Sequence, residues 1–283
     1  MSQVKTLNIE PLFPIKAQEN IQNILVIGCG GTGSYIIPNL VRLIASSKTP
    51  ICLTLADADV VEEKNLLRQN FIKSDIGKNK AEALAKRYSS AFGLQIQFIP
   101  QYLESADSIG KALSSAQMNN INYGATPPLI ISCVDNIKAR KFMVDALVKY
   151  YPACGYLVDC GNEDVAGQVL ISCLTNRIDL DAGIFPTPHL FQVFPELNER
   201  AKTDKLASEL SCAEMAESSP QFGFVNLNAA TFALNMIYDL LNKNPISTYM
   251  VEFSIKNKFS QRPLTKSAIQ SWGAMGLKIA LPR

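Results

Sequence analysis

Short apolar runs and helix-spaced apolar positions alternate along the first two thirds of this chain. Runs at residues 24–27, 51–55, 94–99 and 129–133 each end in polar or glycine-containing text. After the first of them, Ile36, Ile37, Leu40, Leu43 and Ile44 recur three and four apart, the spacing of one helix face. The same reading predicts helices over 31–45, 78–91 and 136–150, and a weaker one over 105–116. Residues 118–128, rich in Asn and ending in Pro127-Pro128, read as loop. Strands over 156–160 and 165–173 flank a Gly161-Asn162-Glu163-Asp164 turn. Apolar runs without polar alternation suit strands buried on both faces. Strands alternating with helices predict an α/β, Rossmann-like, doubly wound and mostly parallel sheet with helices on both faces.

Beyond residue 173 the rhythm breaks. Residues 174–220 carry Pro186, Pro188 and Pro195 and a charged patch over 196–205, which predicts an irregular crossover or lid with short helices. A helix over 224–241 and a late strand over 249–255 follow. The expected organisation is one domain over 1–283, with a nucleotide-binding core at about 20–173 and an elaboration at about 174–283.

The 283 residues are 47% apolar, enough for a substantial core, and the net charge of +2 is spread without long basic runs. Neither a nucleic-acid nor a membrane partner is expected from that balance. Residues 1–23 lack the apolar centre of a signal peptide and no run is long enough to span a bilayer, so a cytoplasmic protein is the expectation. The seven cysteines form no C-x-x-C pair, which argues against disulfides and a thiolate zinc site. The single histidine, His189, reads as a packing or loop residue.

The candidate chemistry begins where the first strand meets the first helix. Gly28, Gly30, Gly31 and Gly33 form a G-x-G-G-x-G turn, which lets backbone approach an anion at the positive end of a helix. Four further polar clusters precede helices or end strands, where open α/β sheets bind ligands. Asp57 and Asp59 end the second strand; an acid there suits the ribose of ATP, NAD or S-adenosylmethionine, or else the pair simply forms a turn. Asn65, Arg68 and Gln69 lie in a loop carrying side-chain amides and a guanidinium; Arg68 together with Lys80, at the end of the Asp75–Lys80 turn, could clamp a polyphosphate, or that turn is simply a solvated surface. Asp135 follows the most apolar strand and suits Mg²⁺ with phosphate oxygens, or with Asn136 caps the next helix.

In order, Gly28-x-Gly30-Gly31-x-Gly33, Asp57-x-Asp59, Asn65-Leu66-x-Arg68-Gln69, Gly77-x-x-Lys80-Ala81 and Cys133-x-Asp135-Asn136 resemble the ThiF/MoeB superfamily, the adenylating domain shared with ubiquitin-activating enzymes. The resemblance covers roughly residues 20–173, with Gly167-Gln168 similar to a further element near the substrate tail. It implies ATP-dependent adenylation of the C-terminal carboxylate of a small ubiquitin-like protein, with release of pyrophosphate. It also implies Gly31 beside the phosphates, Asp57 on the ribose, Asn65, Arg68 and Lys80 on the triphosphate, Asp135 on Mg²⁺, and a homodimer.

This chain departs from the family in lacking the paired C-x-x-C zinc ligands and the N-terminal arginine that reaches a partner's ATP. Only Lys5 and Lys16 stand in that N-terminal segment. Gly161-Asn162, Gly167-Gln168 and Ser211-Cys212-Ala213-Glu214 look more like the ThiF-family proteins of PRTRC-type systems. Cys212, in polar surroundings, reads either as a nucleophile that takes the activated carboxyl as a thioester or as a structural cysteine. The rival readings are an NAD-dependent oxidoreductase, which leaves Arg68, Lys80 and Asp135 without a role, and a non-catalytic nucleotide-binding module. A relative acting on tRNA lacks a basic footprint here.

Overall fold

The computed structural model describes residues 12–17, 19–115, 126–209, 223–256, 258–277 and 279. In chain order the core elements are β1 (Asn23–Ile27), α1 (Gly31–Ser46), β2 (Cys52–Ala56), α2 (Lys80–Phe92), β3 (Ile96–Ile99) and α3 (Ala106–Ser115). They continue with β4 (Leu129–Ser132), α4 (Ile137–Tyr150), β5 (Gly155–Asn162) and β6 (Ala166–Leu174). The elaboration supplies α5 (Leu190–Val193), α6 (Leu197–Thr203), α7 (Gly223–Leu241), β7 (Thr248–Ser254), β8 (Lys258–Pro263) and α8 (Lys266–Ser271).

All eight strands join one sheet in the order β3-β2-β1-β4-β5-β6-β7-β8. β1, β2 and β4 are buried at every position, as their unbroken apolar runs require. Strands β1 to β5 are mutually parallel, and the chain reverses its direction of travel across the sheet between β1 and β4. That reversal opens a crevice at the C-terminal strand ends. Helix α1 packs on α2 and α7, while α3 packs on α4 and α4 on α6. A fully buried Ile or Leu contributes about 1.5–3 kcal/mol, so the strand centre, with Ile24, Leu25 and Val26 at 0% exposure, anchors the crevice firmly.

The mostly parallel sheet agrees with the sequence reading, and the structure adds detail to its outer half. The sheet is parallel only as far as β5; β6, β7 and β8 then add antiparallel pairings. Strand β8 and helix α8 lie where the sequence predicts no element, whereas α5 and α6 are short helices of the kind expected in the crossover. Leu12 bridges to Thr265 and Ile15 to Ile246, so the segment ahead of β1 is stitched onto the outer half of the fold. Among the described residues no helix is long and apolar enough to cross a membrane.

Candidate active site

Helix α1 begins without help from its own side chains. Gly30 at its N-cap makes no side-chain bond, and no acid sits in its first turn. The first helical bond runs from the Ser34 N–H to the Gly30 carbonyl at 3.0 Å. The amides of Gly31, Thr32 and Gly33 therefore precede the helical ladder, at the positive end of the helix dipole. Gly28 holds φ +93°, and a Cβ there would stand 2.6 Å from the Cys133 carbonyl oxygen. Gly33 is buried within α1 and is a packing residue, since its Cβ would fall 2.0 Å from the Gly28 carbonyl oxygen.

The two aspartates after β2 have different surroundings. Asp57 is buried, and its Oδ2 and Oδ1 accept the N–H groups of Cys29 (2.6 Å) and Asp59 (2.8 Å), tying the glycine turn to the end of β2. Burial pushes its carboxyl above the usual carboxylate value, against the pull of Lys80. Asp59 is half-buried; burial opposes its charge, but the Lys80 ammonium and the Tyr102 hydroxyl outweigh this and hold its carboxyl below the usual value. Lys80 Nζ lies 2.7 Å from Asp59 Oδ2, and Tyr102 donates to Asp59 Oδ1.

Lys80 opens α2 from a buried position, where a cation opposes the helix dipole; the Asp59 pair compensates. Asn79, which the sequence reading passed over, caps α2 by accepting the Glu82 N–H at 3.0 Å. Its Nδ2 donates to the carbonyls of Asp57 and Asp59. Of the remaining residues in that turn, Asp75 pairs with Arg87 and Lys78 is exposed.

Asn65 is buried in a 3-10 turn, Glu63–Leu67, and its Oδ1 accepts the Glu62 N–H at 2.8 Å. Arg68 is half-buried just after this turn, and the Gln69 side chain is buried with Oε1 unpartnered. Across the crevice Asp135 is exposed at the end of β4, with no salt bridge among the described residues. Asn136 performs the capping, accepting the Ala139 N–H at 2.9 Å, which leaves Asp135 available to a ligand.

These side chains line a single cleft of about 750 Å³, within the usual range for cofactor sites of about 300–1,000 Å³. Gly28, Gly30, Gly31, Asp57, Asp59, Asn65, Arg68, Gln69, Lys80 and Asp135 all face it, with Val60, Leu103 and Val134 forming apolar wall; Gly33 does not line it. Cys212 lies outside the described residues. The cleft cysteines are not activated: burial, chiefly, raises Cys29, and the Cys160 hydrogen bond with burial raises Cys133.

Three polar residues that are not among the predicted site residues join this wall. Asn162 Nδ2, from β5, donates to Thr32 Oγ1 at 2.5 Å and to Asn226 Oδ1 at 2.8 Å; Asn226 comes from α7. The readable signal was a polar residue on the buried stripe of α7, in register with Ala229, Ala230, Ala233 and Ile237.

A mostly parallel sheet that gathers a glycine turn, Asp57, Asp59, Arg68 and Lys80 at its switch point defines a Rossmann-like α/β fold. The chain belongs to the ThiF family, whose model matches residues 6–270. It is 31% identical over 152 residues to the NEDD8-activating enzyme E1 catalytic subunit of Saccharomyces cerevisiae, covering 52% of this chain and 46% of that one. It is 24% identical over 249 residues to ubiquitin-like modifier-activating enzyme 5 of Drosophila willistoni, covering 86% and 58%. The chain thus spans about half the length of these relatives. Among solved structures, E. coli MccB with ATP superposes with a TM-score of 0.55 at 16% identity, over 86% of this chain and 64% of that one. That likeness establishes the shared fold.

Proposed function

We propose that this chain activates a carboxylate by adenylation, as its ThiF membership and the E1-type names of its relatives suggest. A C-terminal carboxylate oxygen of a ubiquitin-like protein or peptide attacks the α-phosphorus of ATP. The bond from that phosphorus to the β-phosphate's bridging oxygen breaks, and pyrophosphate leaves with the electron pair. No proton has to be removed from the nucleophile, so the work is to fix the line of attack and offset charge.

The observation that carries this reading is the gathering of helix-end amides, Arg68, Lys80 and the exposed Asp135 in one cleft, with Lys80 held by Asp59. Asp57 is held with both oxygens fixed by backbone N–H groups, which leaves lone pairs for ribose hydroxyls. The apolar wall at Val60 and Leu103 suits a purine. Among the described residues no three His, Cys, Asp or Glu side chains cluster, so a metal here would draw on one carboxylate and on substrate oxygens. Asp135 would hold Mg²⁺, which when bound neutralises phosphate charge.

The test is ATP–pyrophosphate exchange with ubiquitin-like proteins or their C-terminal peptides. We predict that Asp135→Ala lowers exchange by at least about 100-fold while stability stays within about 0.5 kcal/mol, because the side chain is exposed. Near-normal exchange by this variant would remove Asp135 from the reaction. Binding of NAD in preference to ATP by the parent chain would favour the oxidoreductase reading instead.

A further inference from the structure

Asn226 stands out among the polar groups of the molecule because half of its side chain has nothing to do. It is 1% exposed, lines the cleft, and accepts hydrogen bonds on Oδ1 from Asn162 Nδ2 (2.8 Å) and Thr32 Oγ1 (3.3 Å). Those two donors fix the orientation of the carboxamide, so its Nδ2 faces the other way. That Nδ2 is buried and has no partner. Buried donors are nearly always satisfied, and one left open in a cleft wall marks where a ligand acceptor belongs.

The carboxamide as a whole lies against Gly31. A Cβ on Gly31 would stand 2.6 Å from Asn226 Nδ2 and 2.8 Å from its Oδ1. Gly31 has no positive φ, so its backbone does not demand glycine. What demands it is the space occupied by the amide of Asn226. The side chain from α7 therefore sits against the first turn of α1, beside the free amides of Gly31, Thr32 and Gly33.

Resting on the nucleotide reading above, we propose that Asn226 is a phosphate-binding residue. Its Nδ2 donates to a phosphoryl oxygen seated at the start of α1, and Thr32 and Asn162 are positioning residues that hold its carboxamide. A role confined to joining α7 with β5 and α1 accounts for Oδ1 and for Gly31. Donation to an anion accounts in addition for the open Nδ2 and the uncapped helix end.

The experiment is calorimetric titration of the full chain with ATP, AMP and adenosine, with folding checked by circular dichroism. Asn226→Asp keeps the Oδ1 acceptor and replaces only the donor, now with a repelling carboxylate. We expect it to weaken ATP and AMP by at least about 30-fold and adenosine by less than twofold. Gly31→Ala leaves residue 226 intact but displaces its amide, and is expected to weaken ATP and AMP by about tenfold with adenosine again unchanged. It supplies the test if the Asp variant does not fold. Equal ATP affinity in both variants would overturn the proposal, and so would equal losses for adenosine, which would mark a purely structural residue. A parent chain that binds none of the three would instead defeat the nucleotide reading on which the proposal rests.

Discussion

Gly30 and Gly33 are equivalent in the written motif and unlike in the folded chain. A side chain at Gly33 would drive into the Gly28 carbonyl, on a residue just past β1 whose own N–H bonds the Ala56 carbonyl at 2.9 Å. At Gly30 the nearest atom to such a Cβ is Gln69 Nε2 at 3.7 Å, an ordinary contact. Gly33→Ala should therefore lose about 1–3 kcal/mol or more in urea denaturation, and Gly30→Ala should stay within about 0.5 kcal/mol. Similar losses for both would mean that the whole turn, rather than one packing position, is strained. The glycines were visible in the sequence, but their separate reasons were not, because the atoms nearest them belong to Gly28 in the same turn and to Gln69 in a loop beyond β2. The aspartates repeat the lesson: Asp57-x-Asp59 was legible as a pair, while the fold gives one to backbone amides and the other to Lys80 and Tyr102.

Elements bring their own constraints to the cleft floor. On α4, Arg140 pairs with Asp159 of β5 at 3.0 Å, and the two side chains are 5% and 3% exposed. Gly161, two residues further along β5, leaves room for this guanidinium; a Cβ there would stand 2.7 Å from Arg140 Nη2. Removing one partner strands a buried charge, so Asp159→Ala should cost about 3–5 kcal/mol. The double variant Arg140→Met, Asp159→Ala should recover a large part of that loss. Denaturation midpoints of the two single variants and the double variant decide it, and strictly additive losses would show that the charges do not depend on one another. Neither residue belonged to the predicted site, since a lone Arg on a helix and a lone Asp in a strand acquire meaning only once α4 is laid against β5. Helix α7 was legible from its periodicity, and Asn226 was visible as the polar break in its buried stripe; its partners, 64 and 194 residues away, were not.

At the scale of the whole molecule, the parallel half of the sheet was readable because strands buried on both faces are written as plain apolar runs. The outer half was not: β8 is exposed along nearly its whole length and carries Lys258 and Pro263, so nothing in its pattern separates it from loop. The parts of that outer half meet near His189, the chain's only histidine, at the N-cap of α5. There Gln192 reaches from α5 to the Met275 carbonyl at 3.4 Å, and Lys141 of α4 lies over the Phe191 ring. Burial first, and then the Lys141 charge, push the imidazole down from 6.5 to about 4, with Asp145 pulling weakly the other way. Between these values the unfolded chain holds a proton that the folded chain does not. Stability from this source is thus fully present above pH 6.5 and is lost as pH falls toward 4, by about 3 kcal/mol in total. No other histidine titrates in that window, so His189→Phe should remove this slope from urea denaturation measured between pH 4 and 7. If the variant kept the parent's slope, the imidazole would have to be charged in the fold, and the packing of α5 between α4 and the C-terminal turn would have to leave it open to water.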